Sequence, residues 1–268
     1  MGRFDFRTRT GLVYNIIQSG GFDSDALSFF NRVTVAGGIL STLEQTAINQ
    51  LVVDLKTYGL WDSMKAIYPM VGASAAACSQ NLKSSIFTGT FNGGWTYNSM
   101  GVTGNAANNY FNTNLQVNTN LSETSNTLSI YSRTNLVGTI CDIGARNFGY
   151  TNPLGILSNY SNLTYSVWND YLATIAGVNT AAFFIQTKNS STLNLFRNNS
   201  NIITATKTLA ALPTSNIIIG AWQSAVEYEA FSNRQYAFAS VGDGLTDTQA
   251  LDFYTAVQAF QTTLSRQV

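Results

Sequence analysis

Glu227-Tyr228-Glu229 offers the best-placed carboxylate pair in the long β-rich stretch of this chain. On an extended strand, residues two apart share a face, so the two acids would stand side by side. Glycoside hydrolysis needs such a pair, about 5 to 9.5 Å apart across the scissile bond. The other acids of the stretch, Glu123, Asp142, Asp170 and Asp243, stand singly, and a solvated acidic edge is the simpler role for Glu227 and Glu229. The chain has no histidine. That removes the Ser-His-Asp and Cys-His nucleophile pairs, the histidine zinc sites and the commonest general base. Asp142 and Asp170 could each give an oxygen to calcium but are isolated, and Cys78 and Cys141 lack CxxC spacing. Two buried free thiols are expected, a disulfide being the alternative. No catalytic residue, metal site or cofactor is assigned.

Binding suits the residue types better. Aromatic rings present an apolar face to sugar C–H groups, while neutral amides both donate to and accept from hydroxyls. The β-rich stretch is full of Trp, Tyr and Asn. Trp95, Tyr97, Trp168, Tyr171, Trp222 and Tyr228 are the glycan-binding candidates, provided that they stand exposed on loops. Aromatics at strand spacing otherwise belong to the core.

Charge is scarce and balanced, with 14 Lys+Arg against 14 Asp+Glu and 10% charged residues in 268. A usual soluble domain has about 25%. Zero net charge argues against a nucleic-acid partner held by many phosphate contacts. No apolar run approaches the roughly 18 residues that span a bilayer, so no membrane insertion is expected. The first 22 residues hold Arg3, Phe4, Phe6, Arg7 and Arg9 but no apolar leader segment, and the chain is expected to be assembled in a cytoplasm. Arginine and aromatics dominate buried interfaces, so these five residues are candidates for docking onto other proteins. The alternative is a strand or arm lying on the chain's own body. A neutral Asn/Thr/Ser-rich surface suits a module present at high local copy number, with repeated symmetric contacts, hence a homo-oligomer.

The elements that position these residues divide the chain into an arm (1–22), a helical hairpin serving as spacer or lid (23–66) and a β-rich body with a final helix (67–268). Asp23 or Ser24 starts a helix with Ala26, Leu27, Phe29, Phe30 and Val33 on one face, stopped at Gly37-Gly38. Ser41 to Glu44 is a capping box, followed by an apolar stripe from Ala47 to Leu55. Trp61 to Ala66 reads as a third helical turn before extended Ile67 to Val71. Short strand-like segments then recur, among them Thr127–Arg133, Gly138–Ile143, Leu163–Trp168, Ala181–Gln186, Leu193–Arg197, Ile202–Thr206, Ile217–Ala221 and Tyr236–Val241. Many short strands without intervening helices predict a two-sheet antiparallel sandwich or jelly roll. A second capping box, Thr246 to Gln249, opens a closing helix with Ala250, Phe253, Val257 and Phe260 at helical spacing.

Two places carry a resemblance. Tyr236 to Tyr254, a strand running through Gly242-Asp243-Gly244-Leu245 into a capped helix, resembles the last strand and helix of laminin-G-like (concanavalin A-like) jelly rolls, as do Leu193–Arg197 and Ile217–Ala221. The wider layout, from Trp61 to Gly72 through Asn81-Leu82-Lys83, Phe87 to Phe91 and Gly94-Trp95-Thr96 to the C-terminal helix, resembles tailed-bacteriophage structural proteins that fuse a small helical region to such a domain. The resemblance implies a virion component, a tail, fibre or particle-surface protein assembled in the host cytoplasm. Its jelly roll would be displayed for contact with host-surface polysaccharide, and its N-terminal arm would meet other virion proteins. A capsid decoration or head-fibre protein of purely architectural role is the alternative. Glucanases share this fold, but their Glu-x-Asp-x-x-Glu pattern is absent: Ser232 stands where a third acid would follow Glu227 and Glu229.

Overall fold

The computed structural model describes residues 21–147, 151–168, 171–206, 211–223 and 227–268. The docking candidates Arg3, Phe4, Phe6, Arg7 and Arg9 lie outside the described residues. The fold is a mainly β, laminin-G-like antiparallel sandwich jelly roll with an N-terminal helical hairpin and a C-terminal helix. The helices are α1 (Ser24–Val35), α2 (Thr42–Thr57), α3 (Ala75–Cys78), α4 (Val117–Asn120) and α5 (Asp247–Thr263). One sheet contains β1 (Met64–Tyr68), β3 (Trp95–Asn98), β4 (Gly101–Gly104), β6 (Ser125–Ser132), β11 (Ala182–Asn189), β12 (Thr192–Arg197), β13 (Ser200–Thr206) and β17 (Gln235–Gly242). Its order is β13-β12-β11-β6-β17-β4-β3, with β1 pairing β17 beside β4.

The second sheet is ordered β10-β9-β8-β7-β14-β5-β2. Its strands are β2 (Thr90–Asn92), β5 (Tyr110–Gln116), β7 (Ile143–Ala145), β8 (Leu154–Tyr160), β9 (Leu163–Trp168), β10 (Tyr171–Ala176) and β14 (Asn216–Ile219). A separate two-stranded hairpin, β15 (Trp222–Gln223) with β16 (Tyr228–Glu229), completes the strands.

The central strands β6, β11 and β17 of the eight-stranded sheet are buried on both faces, and they carry polar residues such as Thr127, Ser129, Gln186 and Ser240 inside as well as apolar ones. Phe184 and Leu195 point into the inter-sheet core beside Phe111, Ile156 and Ile219. Phe183, Ile185 and Phe238 point the other way, against Leu51, Phe253 and Phe260 of the helices. Both capping boxes form, Ser41 with Glu44 and Thr246 with Gln249. The helix α5 packs along α2, so hairpin and C-terminal helix together cover the outer face of this sheet as a lid. The turn after α2 is shorter than the spacing suggests: strand geometry begins at Met64, because residues 64–68 find an open edge of β17 to pair with. Arg266 fastens the chain end, donating to the carbonyls of Pro69 (3.0 Å), Met70 (2.8 Å) and Ala237 (2.9 Å). Burial pulls its pKa down to about 10, so it remains charged at neutral pH.

A second buried arginine ties the sheets together. Arg234, just before β17, places Nη1 2.7 and 2.8 Å from the two oxygens of Asp142, just before β7, and both side chains are fully buried. Asp142 also accepts from the amide and hydroxyl of Ser158 (2.8 and 2.7 Å) and from the Tyr236 phenol (2.8 Å). Arg234 Nη2 reaches the carbonyls of Leu136 (2.6 Å) and Asn159 (3.1 Å). Burial alone would lower the Arg234 pKa, but the adjacent Asp142 raises it above its usual value.

Arg234→Met should therefore strand the Asp142 charge in the core and cost about 3–5 kcal/mol of unfolding free energy, read by urea titration. Adding Asp142→Leu should recover most of that loss. A single-variant loss below about 1 kcal/mol would overturn this assignment.

Candidate functional site

The outer face of the seven-stranded sheet is built around the β15–β16 hairpin. Its base is anchored to the segment that holds the buried ion pair: Gly220 donates to the Asp142 carbonyl (2.9 Å), Ser232 to the Gly220 carbonyl (2.9 Å) and Cys141 to the Ala230 carbonyl (3.1 Å). Gly220 takes φ +77°, a conformation that favours glycine, to turn the chain into β15. Across the hairpin Trp222 pairs with Glu229, and Gln223 with Tyr228. Directly opposed residues share a face and successive ones alternate, so the hairpin sorts its side chains into two sets.

Trp222 and Glu229 line a cavity of about 250 Å³. Its walls are mainly apolar, from Pro153, Leu157, Val167 and Ala230, with Tyr160, Tyr165 and Arg146 among the residues that complete it. The indole rests on a flat seat made by Gly144 and Gly155, which pair in register on β7 and β8; a Cβ at either would come within 2.6 Å of Trp222 Cζ3. The Arg146 guanidinium lies 5.0 Å from the indole centroid. It is ion-paired to Glu229, and its Nε donates to the Gln223 carbonyl. Tyr160 and Tyr165 meet edge to face at 6.0 Å. Cys141 lines the floor as a neutral thiol, because burial pushes its pKa well up.

Gln223 and Tyr228 belong to a second, polar groove of about 670 Å³. Gln116, Asn147, Asn216, Thr151 and Thr214 are among its other walls. The Tyr228 ring stacks on Tyr110, centroids 3.8 Å apart and planes at 18°. Asn147 Oδ1 accepts from the amide and hydroxyl of Thr214 (2.7 and 3.0 Å), and Asn216 Nδ2 donates to Asn112 Oδ1 (3.1 Å). Two amides are therefore held in place. Those of Gln116 and Gln223 have no protein partner among the described residues.

Trp222 and Tyr228 are the two glycan candidates that the fold brings to one hairpin, but Trp222, at 7% exposure, packs on Cys141 and Val167 instead of standing exposed, and Tyr228 is half-buried against Tyr110. Trp95 and Trp168 are corrections: at 8% and 3% exposure both belong to the inter-sheet core, with Trp95 Nε1 bonded to the Asn92 carbonyl. Strand alternation turns them inward rather than onto loops. Tyr97 is half-buried against Phe91, and burial pushes its phenol up to about 12. Tyr171 opens β10 opposite Trp168 in register, and its side chain lies outside the described residues. Glu227 is exposed and precedes β16, whereas Glu229 holds Arg146. Asp142 is committed to Arg234, and Asp170 lies outside the described residues. Cys78 and Cys141 are free, buried thiols. Among the described residues no three His, Cys, Asp or Glu gather as metal ligands, and no helix is long and apolar enough to cross a membrane.

No family model matches the chain, and no curated protein does. Solved structures share its architecture. A mutant Trypanosoma rangeli sialidase displaying trans-sialidase activity superposes with a TM-score of 0.56 at 10% identity, covering 81% of this chain and 39% of the sialidase. The Trypanosoma rangeli sialidase in complex with sialic acid gives 0.51 at 8% identity, covering 78% and 38%. A mutant of the NanB sialidase of Streptococcus pneumoniae gives 0.41 at 15% identity, covering 49% of this chain. The chain spans 24% of the NanB chain and under two-fifths of the Trypanosoma rangeli sialidases. The likeness to the two Trypanosoma rangeli structures concerns the fold.

Gly155→Ala should push the indole off its seat, since the new Cβ would overlap Cζ3. The expected result is a red shift of tryptophan emission that is absent when the change is made together with Trp222→Phe, and a loss of about 1–3 kcal/mol in stability. Unshifted emission would show that Trp222 does not rest there.

Proposed function

We propose that this protein is a tailed-bacteriophage virion component whose jelly roll binds saccharide at the host surface through the face around the β15–β16 hairpin. The carrying observation is the two-sided site itself, an aromatic, mainly apolar cavity and an amide-lined groove separated by one hairpin. Concave apolar surface with a few fixed polar groups is the general form of a small-molecule site. Neutral amides and a tyrosine are the groups that meet hydroxyls without demanding charge. The virion half of the reading is supported by the sequence resemblance and by the arginine and aromatic content of residues 1–22. Arg3, Phe4, Phe6, Arg7 and Arg9 would dock on other virion proteins, with assembly in the host cytoplasm and repeated copies on the particle.

Binding rather than hydrolysis is supported by the acid inventory of the cavity. Glu229 is its lining carboxylate, and it is engaged by Arg146. Hydrolysis would need a second acid across the bond. A purely architectural role, as capsid decoration or head fibre, is favoured by a different feature. Val35 and Ile39, each 80% exposed, and Leu43, 55% exposed, stand together at the α1–α2 turn, apolar surface suited to a contact between subunits.

Two outcomes are expected. On an array of bacterial polysaccharides the protein should bind a subset, with Tyr228→Ala and Asn216→Ala each weakening binding about tenfold or more, a change of about 1.4 kcal/mol. A blank array would sink the receptor reading and leave the architectural one. In purified particles the full chain should be present, and deletion of residues 1–22 should abolish its incorporation while its melting temperature stays within about 2 °C. Unchanged incorporation would exclude the arm as the docking element.

A further inference from the structure

The helical lid carries an apolar surface that the described residues leave uncovered. At one end of it the α1–α2 turn, the end of α5, the β3–β4 turn and residues 70–73 border a mainly apolar cavity of about 410 Å³. Ile39, Leu43, Ala73 and Leu264 are among its walls. Its shape is held by the backbone beneath it. Met70 and Ala73 take φ +48° and +45°, a region that side chains other than glycine seldom occupy. Glu44 Oε1 accepts from the Gly72 amide (2.8 Å), and Arg266 donates to the Met70 carbonyl (2.8 Å), so this segment is fastened from two helices' ends. Ile39 stands 80% exposed and Leu43 55%, and Val35 and Leu27, at 80% and 50%, extend the apolar surface along α1. Eight positions apart, Leu27 and Val35 lie about 12 Å apart along the helix axis and within about a quarter turn of each other. Contiguous exposed apolar surface of this kind marks a contact.

The size of the surface selects its occupant. These four side chains expose on the order of 400 Å², against about 800 Å² per partner in a stable pair of proteins, so a second copy seated here alone would be weakly held. A short apolar segment matches the area. The chain has one in Leu12-Val13-Tyr14-Asn15-Ile16-Ile17, within the first 20 residues, which lie outside the described ones. Its point of entry is fixed at Asp23, whose amide donates to Asn49 Oδ1 (2.7 Å) and whose carboxylate takes Lys56 and caps α1. From there the 12 residues of α1 run about 18 Å to Val35. An extended chain advances about 3.3 Å per residue, so about six residues counted back from Gly20 cover that distance and bring Tyr14 level with Val35 and Leu12 level with the cavity. We propose that residues 12–17 dock on this surface of their own chain, laid antiparallel to α1. Residues two apart share a face of an extended segment, so Leu12, Tyr14 and Ile16 meet the helix and the cavity together. Tethering gives the segment a high effective concentration at its own lid, ahead of any other copy. Ordering these residues offsets most of what so small a burial gains, which makes the contact a reversible latch rather than a part of the core. Arg3, Phe4, Phe6, Arg7 and Arg9 precede the docked stretch and stay available to other partners. The inference stands independently of the saccharide reading.

The test uses the full chain carrying Leu12→Cys and Ile39→Cys, oxidised with copper phenanthroline in dilute solution. Cys78 and Cys141 are buried and do not compete. On a non-reducing gel the product should be a compact monomer, formed at least about fivefold faster than when Leu12→Cys is paired with Leu163→Cys, an exposed position on β9 of the other sheet. Equal rates for the two pairs would overturn the inference. A disulfide-linked dimer as the main product would overturn it too, and would make the surface a contact between copies. A second measurement needs no covalent trap. In the full chain, Leu12→Asp, Tyr14→Asp and Ile16→Asp together should uncover the surface and raise binding of the apolar dye ANS by about threefold or more, and adding Ile39→Asp should reverse most of that rise. Dye binding that does not change in the triple variant, or a rise that Ile39→Asp leaves intact, would show that residues 12–17 do not cover this surface.

Discussion

Asp142 and Arg234 are both fully buried, and their charges meet where the two sheets face each other. An ion pair in that position is weak evidence of net stability, because desolvation of both partners offsets much of the attraction. Its value lies in what it fixes. Asp142 receives Ser158 from β8 and Tyr236 from β17, so one carboxylate sets the distance and register between the sheets. The backbone of the same residue carries the outer face, since its carbonyl accepts from Gly220 at the base of the β15–β16 hairpin. Interior and outer face are thus positioned by neighbouring atoms of one residue. A shift at the pair would be transmitted to Trp222 through two peptide units, with no flexible loop between.

The scarcity of charge acquires a structural meaning from these contacts. Arg234 and Arg266 are buried clamps. Lys56 bridges Asp23 and Asp25 at the start of α1, and Lys65 meets Asp243 beside β17. Burial alone would raise the Asp23 pKa, but the Lys56 ammonium outweighs it and holds the carboxyl low. Charges are spent on fastening the lid and closing the sandwich, and the polar groove is left to Asn, Gln, Thr and Tyr. A neutral surface of this kind has little long-range field to steer a ligand. On the proposed saccharide reading, recognition there would depend on shape and short-range hydrogen bonds.

How far the sequence revealed this arrangement depended on how strongly each segment patterned its apolar residues. The capping boxes at Ser41 and Thr246 and the stripes behind them located α2 and α5, because caps and helical periodicity are local properties. The sandwich class followed from recurrent short strands. The strands β2 to β5 were harder to see, since Thr90–Asn92, Gly101–Gly104 and Tyr110–Gln116 are rich in Asn, Thr and Gly and alternate only faintly. Gly138–Ile143 reads as one strand, yet strand geometry begins only at Ile143, because Asp142 is drawn inward by Arg234. Tryptophan identity alone could not separate Trp95 and Trp168, which fill the core, from Trp222, which lines the face. That distinction depends on which side of a strand faces the partner sheet.

Arg146, Tyr160, Tyr165, Gly144 and Gly155 drew no notice in the sequence, though part of the signal was present. Tyr165 and Val167 alternate within Leu163–Trp168 on the face away from the core, and a glycine at the centre of Ile143–Ala145 is unexpected in a strand unless something must approach the backbone closely. What approaches is an indole from a residue more than sixty positions away, and no local pattern encodes that meeting. The paired glycines therefore explain where Trp222 packs, which the tryptophan's identity does not. A sheet that gives up two side chains in register leaves a flat patch, and the Trp222 indole fills it, packed with Cys141 and Val167. The use visible in the structure is to hold Trp222 by one edge, with Arg146 over the ring, so that the indole meets the cavity as a fixed wall rather than as a mobile ring.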